Sequence, residues 1–137
     1  SRYEDAQRFQ NYSCSPVMEG FEPDTHAAEQ WSDPFKGGWI AHKQGSCIKF
    51  NVSGGIIMVQ YRKTINKPAP VAYAVIDGDR QNKVLLDANF DEDWGDLCCL
   101  EEIYSGNKGE HTVEIVIDTE GKENSDFMLI SVITANK

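Results

Sequence analysis

The chain has 137 residues, 40% of them hydrophobic and 26% charged, which suits one domain with a single core and no covalent staples. Thirteen basic residues against 22 acidic ones leave a net charge of −9. That charge opposes binding to nucleic acid, anionic lipid and acidic polysaccharide, all of which need a basic field, and favours a neutral ligand or a cation. No apolar run approaches the roughly 20 residues that span a bilayer.

Residues 1–12 are polar and aromatic, and a short helix is expected over 3–9. The stretch 1–19 reads as a linker or the tail of a preceding domain, and 20–137 as the domain itself. The chain starts at Ser1 without a leader-like segment, so it is taken as an excised piece or mature product of something longer. Residues 13–36 are loop-like, punctuated by Pro16, Gly20, Pro23 and Pro34, with a helical turn expected near 26–30.

After Gly37-Gly38 the pattern changes to strands. Over 47–52, Ile48, Phe50 and Val52 alternate with Lys49 and Asn51. Ser53-Gly54-Gly55 then makes a turn, and 56–62 returns with Ile57, Val59 and Tyr61 on one face and Met58, Gln60 and Arg62 on the other. Lys67-Pro68-Ala69-Pro70 is a stiff connection. A strand over 71–77 ends at the turn signal Asp77-Gly78, and 83–88 forms the next. Further strands are expected over 97–104, over 111–118 with Val113, Ile115 and Ile117 inward, and over 127–134. The last is apolar on both faces, which places it centrally in a sheet. About eight short strands with turn residues between them, and no long amphipathic helix, predict an all-β antiparallel sandwich, jelly-roll in type.

The most informative stretch is 87–96. Acid or amide groups recur at Asp87, Asn89, Asp91 and Asp93, and rings at Phe90 and Trp94. In an extended segment the two sets face opposite ways. Asp87-x-Asn89-x-Asp91 matches the first three ligand positions of an EF-hand loop, but Glu92 stands where the sharp turn needs Gly and Cys98 where a bidentate Glu is needed. The EF-hand is rejected. A looser calcium site through Asp87, Asn89 and Asp91 stays open beside the plainer reading of a solvated acidic loop. No zinc spacing exists among Cys14, Cys47, Cys98, Cys99 and the three histidines; free thiols are expected, with a Cys14–Cys47 disulfide left open.

A resemblance enters with Phe35-Lys36-Gly37-Gly38-Trp39-Ile40, the strands over 46–61, Ile76-Asp77-Gly78-Asp79, the strip 86–97 and His111-Thr112-Val113-Glu114-Ile115. Together these resemble an accessory β-sandwich, similar to a carbohydrate-binding module, of the kind that sits beside SGNH (GDSL-type) esterase domains in bacterial polysaccharide-degrading proteins. The resemblance covers roughly 20–134. It implies a noncatalytic, secreted domain acting at a glycan.

The residues agree on catalysis. The esterase nucleophile would need Gly-Asp-Ser, whereas this chain has Gly78-Asp79-Arg80 and Gly95-Asp96-Leu97, and no G-x-S-x-G elbow exists. His111, at a strand start, reads as a surface residue. Sugar binding needs aromatic platforms with planar polar neighbours. Trp94, flanked by Asp93 and Gly95, is the leading platform, with burial of its ring under a loop as the competing reading; Trp31 is a second, Tyr104 a smaller one, and Asn89, Asp93 and Gln60 are candidate hydrogen-bonders. Trp39 is assigned to the core. The expected function is a noncatalytic carbohydrate-binding module that brings a tethered enzyme to a neutral plant-type glycan, with no partner nucleic acid or membrane. The alternative is a structural domain that packs on a neighbouring SGNH esterase domain without touching sugar.

Overall fold

Two antiparallel sheets face each other across a shared apolar core in the computed structural model, which describes residues 4–25, 35–92, 94–119 and 125–136. The expected helical turn at 26–30, Trp31 and Asp93 lie outside the described residues. With strands numbered in chain order, the first sheet runs β3 (Glu22–Pro23), β4 (Trp39–Ala41), β11 (Phe127–Asn136), β6 (Ile56–Lys63), β9 (Leu97–Ser105). β1 (Glu4–Phe9) pairs with β11 beyond the stretch that β4 occupies. The second sheet runs β2 (Val17–Glu19), β5 (Cys47–Ser53), β10 (Glu110–Ile117), β7 (Val71–Ile76), β8 (Val84–Asp87). The sandwich expected from the sequence is therefore the observed fold, with eleven strands among the described residues rather than about eight.

The alternations read from the sequence set which side chains meet. Ile48, Phe50 and Val52 of β5 and Val113, Ile115 and Ile117 of β10 are buried, facing Ile57, Val59 and Tyr61 of β6. Each full burial of such a side chain is worth roughly 1.5–3 kcal/mol. Trp39 is buried against the edge of Phe50, with ring centroids 5.1 Å apart. β11 lies between β6 on one side and β4 and β1 on the other, the central position its two apolar faces require. A bulge at Ile130 interrupts its pairing with β6. The bulge's carbonyl accepts a hydrogen bond from Gln10 Nε2 at 3.2 Å.

Residues 4–9 form a strand, not the expected helix. β4 covers only the first part of β11, and the remaining edge offers backbone partners and a core site for Phe9, which lies opposite Val132. A short segment gains too little from local helical bonds to compete with that. Within the stretch expected to be a linker, β1 and β2 are hydrogen-bonded members of the two sheets.

His111 is only 8% exposed, in contrast to its expected place at the surface. Its Nδ1 meets Asp77 Oδ2 at 2.7 Å and its Nε2 meets the Asn107 carbonyl at 2.8 Å. Two acceptors on one ring are matched by the doubly protonated imidazolium alone, since neutral imidazole carries one N–H. The Asp77 hydrogen bond accordingly holds the His111 pKa above the ordinary histidine range and that of Asp77 below the usual carboxylate range.

Candidate functional site

β8 ends at Asp87, where the chain leaves the second sheet. Ala88 is fully buried; its N–H donates to the Pro70 carbonyl at 3.1 Å and its carbonyl accepts from Thr64 N–H at 2.7 Å. Phe90 N–H donates to the Thr64 carbonyl at 3.0 Å. The segment thus crosses along Thr64, just past β6, and enters the first sheet at Leu97, opposite Lys63. Gly95, at φ 139°, takes a backbone shape that side chains disfavour. The strip is a lip joining the two sheets at one end of the sandwich.

Trp94 stands on that lip with 66% of its surface exposed. Behind it, Phe90 meets the indole edge to face, centroids 5.3 Å apart and planes at 87°. An aromatic pair in this geometry is worth about 0.5–1.5 kcal/mol beyond its buried area, so the platform is propped rather than loose.

The polar side of the strip closes around an ammonium group. Lys67 Nζ donates to the Phe90 carbonyl at 2.9 Å, to Asp91 Oδ1 at 3.0 Å and to Asn89 Oδ1. Asn89 Nδ2 also donates to Asp91 Oδ1 at 2.9 Å. These contacts, Asn89 first, hold the Asp91 carboxyl below the usual carboxylate range. Asp87 is turned elsewhere, accepting the Asn89 N–H at 2.9 Å. The three residues considered as calcium ligands therefore do not form an oxygen cage for a metal: the two that converge do so on Lys67. Among the described residues no three His, Cys, Asp or Glu side chains gather to hold a metal ion. The far end of the lip is fastened by Asp96, whose Oδ1 accepts the Ile65 N–H at 3.2 Å and whose Oδ2 lies 4.0 Å from Arg62 Nε.

Of the other sequence-derived site residues, Asn89 is committed to Lys67 and Asp91. Gln60 lies on the outward face of β6, where Ser131 Oγ donates to its Oε1 at 2.6 Å. Tyr104 is near the far end of β9, its ring 4.5 Å from His111 and its hydroxyl accepting the Asn107 N–H at 3.0 Å. Trp94 precedes the other end of that strand, so at about 3.3 Å per residue the two rings are some 25–30 Å apart. The structure does not join them in one site. Lys67 is the functional residue that sequence reasoning passed over; its one signal was its place before the stiff Pro68-Ala69-Pro70 connection.

No family model and no curated protein matches the chain. Among solved structures, a two-domain esterase active on acetylated mannans, co-crystallised with mannopentaose, is 43% identical over 99% of this chain, with a TM-score of 0.92. The chain resembles the smaller part of a carbohydrate esterase. It spans 38% of that protein's length. A family two carbohydrate esterase from Cellvibrio japonicus aligns at 15% identity and TM-score 0.63, over 97% of this chain and 34% of its own. A carbohydrate-binding module, CBM36, solved with calcium and xylotriose, aligns at 8% identity and TM-score 0.54, over 93% and 97%. These two share the fold. The expected likeness to accessory sandwiches of carbohydrate esterases is thus borne out.

Proposed function

We propose that the chain is a noncatalytic carbohydrate-binding domain that holds a linked esterase domain on a neutral, plant-type polysaccharide outside the cell. The observation that carries this reading is Trp94: a tryptophan two-thirds exposed, backed by Phe90 and set on a lip tied down at both ends. An exposed indole offers a flat apolar face to the C–H face of a sugar ring. The acidic chain suits an uncharged polymer. β-Mannan is the first candidate, because the 43% identical esterase acts on acetylated mannans. Tethering would raise the local concentration of the linked enzyme on its polymer without new chemistry. Lys67 already supplies a positive charge at the strip, so this reading does not require calcium.

Affinity electrophoresis in gels containing galactomannan, glucomannan or xylan tests it. Wild-type chain is expected to be retarded equally with and without a chelator, and Trp94→Ala to run as in an empty gel. Full retardation of Trp94→Ala would remove Trp94 from the site. The 38% coverage of a two-domain esterase favours a second reading, in which the chain packs on a neighbouring catalytic domain without binding sugar. An absence of retardation for wild type in every gel would support that reading instead.

A further inference from the structure

The opposite end of the sandwich carries a cleft of about 510 Å³ lined by Gln7, Phe9, Asn51, Val52, Ser53, Asp77, Glu110, His111 and Thr112. A second cleft, of about 360 Å³, shares Gln7 and Ser53 with it and runs on past Asp5, Thr134 and Asn136. The first volume falls within the range of about 300–1,000 Å³ typical of small-ligand sites. The groove forms where two strand edges face each other. β1 pairs with β11 alone, and β2 stops opposite Lys49, so β5 beyond that residue is the edge of its own sheet.

Its chemistry is selective. Neither cleft has a Lys or Arg in its lining, which disfavours an anion. Asp77 is already hydrogen-bonded to His111, and the carboxylates that remain in the two clefts, Glu110 and Asp5, are fewer than a cation site would use. What remains is a mixed set: two amides that both donate and accept, hydroxyls at Ser53 and Thr112, the Glu110 carboxylate as acceptor, and the partly exposed ring of Phe9. Among the described residues, none makes a hydrogen bond or ion pair with the side chains of Gln7, Asn51, Ser53 or Glu110. The β10 wall is held by Asp77 Oδ1, which accepts the Thr112 N–H at 2.9 Å, and by His111 between Asp77 and Asn107, while β1 and β5 are held by their ladders to β11 and β10. Rigid walls, uncommitted donors and acceptors in alternation, and one apolar ring match a ligand rich in neutral hydroxyls.

We propose that this groove is a second saccharide-binding site, for a short stretch of a linear neutral oligosaccharide, independent of Trp94. Amide NMR titration of the 137-residue chain with mannopentaose tests it, with an oligouronate as the anionic control. Two separate sets of signals are expected to shift, one at 88–96 and one at 7–9, 51–53 and 110–112. The second set should be silent to the oligouronate. It should persist in Trp94→Ala and lose affinity at least tenfold in the surface double variant Gln7→Ala, Asn51→Ala. Ser53→Trp, which fills the groove from its rim, should silence that set alone. Shifts confined to 88–96, or a second set that vanishes with Trp94→Ala or survives both groove variants, would overturn the proposal. Shifts confined to the groove set would uphold it and count against Trp94.

Discussion

His111 is buried between a carboxylate and a carbonyl, a setting that favours its protonated form. Because its folded pKa is raised, its contribution to stability is complete below the ordinary histidine value of about 6.5 and fades as pH climbs through the folded value. Asp77 works with the opposite sign: its lowered pKa gives stability that is present above the unfolded value and lost as pH falls through the folded one. The difference in melting temperature between wild type and His111→Gln should therefore be widest between about pH 4 and 6.5 and shrink toward pH 9. A flat difference across that range would argue against an imidazolium there. Asp77 is 48% exposed, so solvent screening keeps the effect modest. Lys67 gives a second expectation at this scale. Lys67→Met should cost about 1 kcal/mol or less, as an exposed pair does, while hydrogen exchange speeds up at 88–96 and nowhere else. Neither role was legible in the sequence. His111 finds Asp77 34 residues away and Lys67 finds Asp91 24 residues away, so no local pattern encodes either pair. The polar neighbours of Trp94 and Gly95 marked a turn, but whether the indole faced solvent or core was not legible, because Trp is buried more often than not.

At the scale of elements, strands with one buried face were the readable part. Alternation fixes which side chains of β5 and β10 go inward, and the structure follows it residue by residue, whereas in β6 Ile56 and Met58 on the opposite face are buried as well. β1 was misread because its partner is the far end of the chain, and the bulge at Ile130 was invisible within an unbroken apolar run. That bulge sets a constraint of its own. Gly38 lies so close to it that a Cβ would sit 1.9 Å from the Leu129 carbonyl oxygen and 2.7 Å from Ile130 Cα. All of these atoms are β11 backbone, so no side chain can rotate away. Gly38→Ala should destabilise the fold by about 3 kcal/mol, the upper part of the usual range for overpacking, as measured by chemical denaturation. A change under 1 kcal/mol would mean that β4 can shift off β11.

For the whole molecule, the net charge of −9 favours a neutral ligand. With a charge of −9 and a neutral glycan as ligand, affinity should vary less than twofold between about 50 mM and 500 mM salt, a range over which charge-driven binding collapses. Isothermal titration at the two salt levels checks this, and a steep fall with salt would point to a charged ligand.

The pairing of β1 with β11 has a mechanical consequence. Glu4 lies opposite Asn136, so the first and last described strands emerge side by side, at the end away from Trp94. If a polymer grips the indole while a linked body drags on either strand, the pull runs along the strand axis. The ladder from Glu4 to Phe9 is then loaded in shear, with its hydrogen bonds sharing the force together instead of parting one by one. β11, held by neighbours on both sides, is gripped more firmly still. On the proposed function, this topology would resist tension between the Trp94 lip and a body linked at Glu4 or Asn136.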